Sequence, residues 1–200
     1  MAQGILRRSF IVAAAALALL AAPGAQAKTA PVFEINQAGS SIKFFVKASV
    51  GVAGKFDKWD GHVTFASTNP TSGVLEIKIQ AASVDTGSGL KNRKLKGSDF
   101  FDVDKYPVML FRSKKIVQIS PTQFEMDGDF TIKGVTRPEK LSFTVAGAGT
   151  GNASITGKMT FNRRHYGING DIPFVKIADH VDVTVAMNVR RVSGPALVLH

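Results

Sequence analysis

The chain has 200 residues, of which 44% are hydrophobic and 20% charged, a composition typical of one globular domain and unlike that of a disordered chain. It contains no cysteine, which excludes disulfide frameworks, thiolate metal ligands and thiol nucleophiles. The formal net charge of +10 favours either an anionic partner or an evenly solvated basic surface.

The first 27 residues are typical of an export signal. Arg7 and Arg8 precede an apolar run over residues 10–22, and the Ala-Gln-Ala at 25–27 has the small-residue pattern of a cleavage site. The run is shorter than the roughly 20 residues that a membrane-spanning helix requires. We therefore expect cleavage after Ala27, by either the general or the twin-arginine route, and a periplasmic protein. Without the two arginines, 23 basic and 15 acidic residues leave a net charge of +8.

Along most of residues 28–200, apolar and polar side chains alternate with a period of two, which predicts half-buried β-strands. In the clearest segment Phe124, Met126, Phe130 and Ile132 share one face. Segments with this pattern lie at 42–47, 61–66, 75–80, 108–114, 124–132, 141–145, 155–161 and 181–190, with a short lead-in at 32–36.

One polar, solvent-exposed face per strand indicates antiparallel pairing within a single all-β domain. About eight such strands can close into a barrel, which removes exposed sheet edges and can enclose one small ligand. A two-sheet sandwich has the same periodicity, so the alternation alone leaves that architecture open.

Residues 85–107 interrupt the strand pattern, and connections longer than about 12–15 residues are often functional. We expect a short helical insertion near residues 88–104. One helix face is basic, and two aromatic residues, Phe100 and Phe101, follow it. Beside a barrel mouth this insertion would be either a lid over a ligand or a plug that fills one end.

Five short segments stand out beyond the alternation. They are SSIKFFV at 40–46, SVDTG at 83–87, LKGSDFFDVDKYP at 95–107, GDFTIKGVTRP at 128–138 and NRRHYGI at 162–168. In this order they resemble motifs of the YceI-like family of exported bacterial polyisoprenoid-binding proteins, and the resemblance covers about residues 32–191. It implies a lipocalin-like antiparallel barrel that holds a polyisoprenoid or similar long-chain lipid, for example an isoprenoid quinone, in an apolar channel.

The resemblance implies binding or transport of the lipid rather than catalysis, with no cofactor other than the lipid itself. We expect ten apolar side chains to line the channel, although the same side chains could instead fill a solid core. They are Ile42, Phe44, Phe65, Ile77, Phe100, Phe101, Phe111, Phe130, Phe143 and Phe161.

Five polar residues are candidates for contact with a lipid headgroup at the rim. They are Lys91, Arg93, Arg163, Arg164 and Tyr166. Two arginines beside a tyrosine suit bidentate contact with a pyrophosphate, and equally suit pinning a turn. Lys91 and Arg93 belong to the segment KNRKL at 91–95, which stands where the family carries R-D-x-H-L. An acid and a histidine of the family pattern are therefore replaced here.

Catalytic and metal motifs are not evident: the sequence has no G-x-S-x-G, P-loop or G-x-G-x-x-G, and its four histidines lack metal-ligand spacing. We expect no nucleic-acid partner for an exported protein, and a homodimer stays open. One alternative function is a basic, stress-related protein with a solid barrel that contacts anionic membranes. An enzyme would need two titratable groups converging inside the barrel, which the alternation does not suggest.

Overall fold

The computed structural model describes residues 30–147, 149–171 and 176–199. The predicted export signal at 1–27 lies outside these residues. No helix in the described part of the chain is long and apolar enough to cross a membrane. The strands are β1 (Val32–Ala48), β2 (Val52–Phe56), β3 (Trp59–Phe65), β4 (Gly73–Gln80), β5 (Val84–Asp85), β6 (Val108–Gln118), β7 (Gln123–Ile132), β8 (Val135–Ala146), β9 (Asn152–Asn162) and β10 (Ile177–Ser193); the helix α1 is Gly89–Lys96, and 3-10 helices lie at Pro70–Ser72, Ala81–Ser83 and Arg163–Tyr166.

The strands form one curled antiparallel sheet in the order β3-β4-β6-β7-β8-β9-β10-β1-β2-β5, which confirms the predicted all-β, lipocalin-like fold. Two positions in the sheet hold two segments each, because β2 continues into β3 and β4 continues into β5. Ser83 joins these two corners: its Oγ accepts a hydrogen bond from the Lys58 N–H (3.0 Å) and donates one to the Gln80 carbonyl (2.7 Å). The ten segments therefore occupy eight positions around the barrel, in agreement with the number predicted from the alternation.

β2 does not show the alternation because its central inward position is a glycine. A Cβ atom at Gly54 would overlap the ring of Phe44 on the neighbouring strand. The glycine therefore allows the Phe44 ring to lie against the backbone of β2, and the strand pairs with β1 in regular antiparallel register.

The sheet lacks ladder hydrogen bonds between β1 and β3, which lie side by side in the described part of the chain. Side chains make this contact instead. The rings of Phe33 and Phe65 are 5.5 Å apart, and Gln37 Nε2 donates a hydrogen bond to the Trp59 carbonyl (2.9 Å). We call this line of contact the side-chain seam.

A second gap in the ladder lies between β8 and β9, which pair only where Ser142–Ala146 meets β9. The fully buried Tyr166, from the 3-10 helix after β9, occupies this gap. Its ring meets Phe130 and Phe161 edge-on at centroid distances of 6.0 and 5.3 Å. Its hydroxyl donates a hydrogen bond to Glu139 Oε1 on β8 (2.7 Å).

α1 confirms the predicted helical insertion and spans its first half. Ser88 caps its N-terminus, with Oγ accepting from the Lys91 N–H. Asn92 attaches the helix to the sheet: its Nδ2 donates to Asp85 Oδ1 (3.1 Å), and its Oδ1 accepts from the Thr86 N–H (2.9 Å). The helix is thereby held over one end of the barrel.

Candidate functional site

The interior of the barrel contains two apolar cavities. The first, about 160 Å³, lies at the end of the barrel where the strands β6, β8 and β10 finish. We call it the C-terminal cavity. Its walls include the stacked rings of Phe124 and Phe143, whose centroids are 5.2 Å apart. Other lining residues are Phe33, Phe65, Leu75, Ile77, Met126 and Met187.

Residues 196–199 lie across the outer end of the C-terminal cavity. Leu197 and Leu199 are half-buried and line it, whereas Val198 between them is exposed. The Val198 N–H donates a hydrogen bond to the Thr68 carbonyl (2.8 Å). Gly194, at φ +78°, makes the turn that directs this segment back over the barrel, because a left-handed conformation favours glycine.

The second cavity, about 110 Å³, lies beneath α1 and is called the helix-side cavity. A chain of aromatic contacts forms one wall: Phe44 to Phe56 at 5.6 Å, and Phe56 to Phe101 at 5.9 Å. Phe100 is buried against the backbone at Gly170, where a Cβ atom would overlap its ring. Further lining residues are Ile42, Ile79, Met109, Phe130, Phe161 and Val183.

The rim of the helix-side cavity is basic. Lys43, Lys91 and Lys94 are among its lining residues. Lys94 Nζ contacts Asp99 Oδ2 at 3.2 Å, whereas Lys43 and Lys91 make no ion pair with any described residue. The equivalent end of the C-terminal cavity has one basic lining residue, Arg191. The two ends of the barrel therefore differ in charge.

Arg163 lines the helix-side cavity, but its guanidinium group is directed to the backbone. The side chain is buried, and its nitrogens donate to the carbonyls of Ile168 (2.7 Å), Ala178 (3.0 Å) and Gly170 (3.3 Å). Burial lowers the pKa of Arg163, and the carbonyl groups together with Asp179 at 3.6 Å compensate the buried charge. In this arrangement Arg163 connects β9 to the start of β10.

Arg164 and Tyr166 lie outside both cavity linings. Arg164 Nε donates to Asp179 Oδ1 on the outer surface, and this hydrogen bond raises the pKa of Arg164 and lowers that of Asp179. Tyr166 fills the gap between β8 and β9. Both side chains therefore have protein partners, in agreement with the alternative that this segment pins a turn.

The predicted apolar residues divide between the two cavities. Those at the C-terminal cavity are Phe65, Ile77 and Phe143; those at the helix-side cavity are Ile42, Phe44, Phe100, Phe101, Phe130 and Phe161. Phe111 is buried but lines neither. Of the predicted rim residues, Lys91 lines the helix-side cavity and Arg93 is exposed elsewhere on α1.

Many lining residues were not among those predicted from the sequence, and four of them stand at the ends of the barrel: Lys43, Lys94, Leu197 and Leu199. Lys43 lies on the outward face of β1, so its alternation predicts solvent, not a rim. Lys94 belongs to the basic helix face and could have been included with Lys91. Leu197 and Leu199 carried a usable signal, because they alternate with Val198 after a Gly-Pro turn.

Comparison with known proteins identifies relatives over most of the chain. Residues 33–189 match the model of the YceI-like domain family. A UPF0312 protein of Pseudomonas syringae pv. tomato is 29% identical over 138 residues, covering 66% of this chain and 71% of that protein. The crystal structure of BcnA from Burkholderia cenocepacia matches with a TM-score of 0.70 and 26% identity, covering 78% of this chain and 99% of that one.

A more distant structure has the same fold. It is a polyisoprenoid binding domain from Saccharophagus degradans implicated in plant cell wall breakdown, with a TM-score of 0.61 and 12% identity. It covers 80% of this chain and 99% of its own. The segment at 194–199 that lies over the C-terminal cavity falls outside the family match.

Proposed function

Because the chain belongs to the YceI-like family, we propose that it is an exported, non-enzymatic protein that binds and carries a long-chain lipid of the polyisoprenoid class. The observation that carries this proposal is the unfilled apolar interior of the barrel. Each methylene group transferred from water into such a space gains about 0.8 kcal/mol. A prenyl or quinone tail is the kind of ligand that can use these walls, which offer it almost no hydrogen-bonding groups.

The cavities also distinguish this proposal from the alternative of a solid structural barrel. In a solid barrel the inward side chains would fill the interior at the density of other protein cores, and voids large enough for a ligand would be absent. Here Phe143 and Phe130, on neighbouring strands, line two separate spaces instead of filling one core. The binding function is therefore the better supported of the two.

We place the lipid headgroup at the helix-side rim. Lys43, Lys91 and Lys94 are among its lining residues, and ammonium groups attract phosphate or pyrophosphate groups. Arg163, Arg164 and Tyr166 are left out of this binding site, because the buried Arg163 binds backbone carbonyls and the other two lie outside both cavity linings. The replacement of an acid and a histidine in the segment 91–95 makes this rim more basic than the family pattern.

The same end of the barrel suits a transient contact with an anionic membrane. Leu90 is 72% exposed at the start of α1, beside the basic residues of that helix. An exposed apolar side chain flanked by lysines and arginines is typical of segments that lie in the membrane interface. We propose that the lipid enters and leaves through the helix-side rim while the protein contacts the membrane, in the periplasm.

The test is native mass spectrometry of the protein expressed with its own residues 1–27 in a Gram-negative host and purified from the periplasm. Solvent extraction then identifies the bound molecule. We expect protein beginning at Lys28 with one prenyl lipid or quinone per chain. Protein that is reproducibly empty and takes up no added prenyl lipid, but binds anionic liposomes in a salt-sensitive manner, would favour the membrane-surface alternative.

A further inference from the structure

The two cavities are separated by buried side chains that line neither of them. The separation is clearest on β9, where successive inward residues are Gly157, Met159 and Phe161. Gly157 lines the C-terminal cavity and Phe161 lines the helix-side cavity. Met159 lies between them and is buried. It therefore stands at the level where one cavity ends and the other begins.

β6 shows the same division. On β6, Met109 lines the helix-side cavity and Ile116 the C-terminal cavity, while the buried Phe111 between them lines neither. The ring of Phe111 extends over Gly128 on β7, where a Cβ atom would lie 2.6 Å from Cζ. It also meets Phe130 edge-on at 6.2 Å. The glycine thus provides the space that this ring occupies.

A third side chain at this level is Trp59 on β3. It pairs with Ile79, which lines the helix-side cavity, and the next inward position pairs with Ile77, which lines the C-terminal cavity. Trp59 is buried and lines neither cavity. Large buried side chains from three separate strands therefore belong to neither lining and lie at or beside positions where the lining changes from one cavity to the other.

We propose that Trp59, Phe111 and Met159 form a partition that determines the length of lipid chain the barrel accepts. This inference rests on the proposed lipid-binding function and adds a specificity determinant to it. A chain that enters at the helix-side rim and ends at the partition fits without rearrangement. A longer chain reaches the C-terminal cavity only when a partition side chain moves aside.

Met159 is the member of the partition best suited to movement. Its unbranched thioether side chain has three rotatable bonds and adapts to irregular spaces. Phe111 is held by Phe130 and by its position over Gly128, and its rigid ring has fewer alternatives. Removing the Met159 side chain beyond Cβ should therefore connect the two cavities with the least disturbance of the surrounding strands.

The test compares Met159→Ala with Met187→Ala. Met187 is an equally buried methionine that lines the C-terminal cavity, so Met187→Ala removes the same atoms and enlarges that cavity while the partition stays closed. Each protein is incubated with an equimolar mixture of farnesol, geranylgeraniol and solanesol, and bound species are counted by native mass spectrometry. We expect the ratio of solanesol to farnesol to rise about tenfold in Met159→Ala and less than about twofold in Met187→Ala.

Equal ratios in the two variants would overturn the partition while leaving lipid binding intact. Failure of the wild type and all variants to bind any of the three alcohols would overturn the proposed function, and the partition with it. If the alanine variants do not fold, Met159→Val against Met187→Val makes the same comparison with a smaller loss of volume. Phe111→Leu should shift the ratio in the same direction as Met159→Val, and an unchanged ratio in both would also overturn the partition.

Discussion

The hydroxyl of Tyr166 donates a 2.7 Å hydrogen bond to Glu139 Oε1, across the part of the sheet where β8 and β9 do not pair. A hydrogen bond to a charged group contributes about 1.5–3 kcal/mol. We therefore expect Tyr166→Phe, which keeps the ring, to lower the free energy of unfolding in urea at pH 7 by about 2 kcal/mol. Tyr106→Phe is the matched control and should change it by less than about 0.5 kcal/mol. Equal effects of the two substitutions would contradict this role of the hydroxyl.

Alkaline pH should destabilise the protein through the same residue. Burial and the hydrogen bond to Glu139 raise the pKa of Tyr166 above its ordinary value of 10.0. Above pH 10 the unfolded chain therefore releases a proton that the folded protein retains, so stability falls as the pH rises. Between pH 10 and 11 we expect the wild type to lose about 1 kcal/mol more than Tyr166→Phe in urea unfolding. Parallel pH profiles for the two proteins would show that the tyrosine contributes nothing to this loss.

The neighbouring arginines should differ sharply in their effect on stability. Arg163→Lys replaces a buried guanidinium that donates hydrogen bonds to the carbonyls of Ile168, Gly170 and Ala178 with a single ammonium. We therefore expect the free energy of unfolding in urea to fall by about 3 kcal/mol. Arg164→Lys changes only an exposed pair with Asp179 and should cost less than about 1 kcal/mol. A larger effect at Arg164 would show that the hydrogen bonds of Arg163 do not hold the start of β10.

Headgroup binding at the helix-side rim predicts a charge-dependent affinity. Lys91→Glu should weaken binding of farnesyl pyrophosphate about tenfold and leave binding of neutral farnesol within about twofold, measured by calorimetry. Lys158→Glu, an exposed lysine on the outer face of β9, makes the same charge change far from either cavity lining. Equal weakening by the two substitutions would indicate a general effect of net charge instead of a headgroup site.

The C-terminal segment should cover the C-terminal cavity through its two leucines. The double variant Leu197→Ser, Leu199→Ser removes two half-buried apolar side chains. We expect it to lower the free energy of unfolding by about 2 kcal/mol and to increase the fluorescence of an added apolar dye. Val198→Ser, between them and 49% exposed, should have neither effect. If all three positions behave alike, the segment does not cover the cavity.

The alternation predicted the strands well because most of them have one wet face and one apolar face. It could not predict β2, whose inward position is Gly54, or β5, which has two residues. It also identified inward side chains such as Phe130 and Phe143 without indicating whether their volumes fill the interior. Whether Arg163 meets a ligand or a backbone carbonyl depends on how the chain folds after β9, and periodicity carries no information about that path.

The side-chain seam between β1 and β3 is the place where we expect the width of the barrel to change most easily. A hydrogen-bonded ladder holds neighbouring strands about 4.8 Å apart, and widening it leaves backbone groups unpaired. Along the seam, widening breaks no ladder hydrogen bond. It separates Gln37 from the Trp59 carbonyl, Phe33 from Phe65, and Ile35 from the backbone at Gly61. If the chain binds lipid as proposed, we expect the barrel to accommodate both a thick, methyl-branched prenyl chain and a thin, straight acyl chain with the same backbone pairing throughout the rest of the sheet.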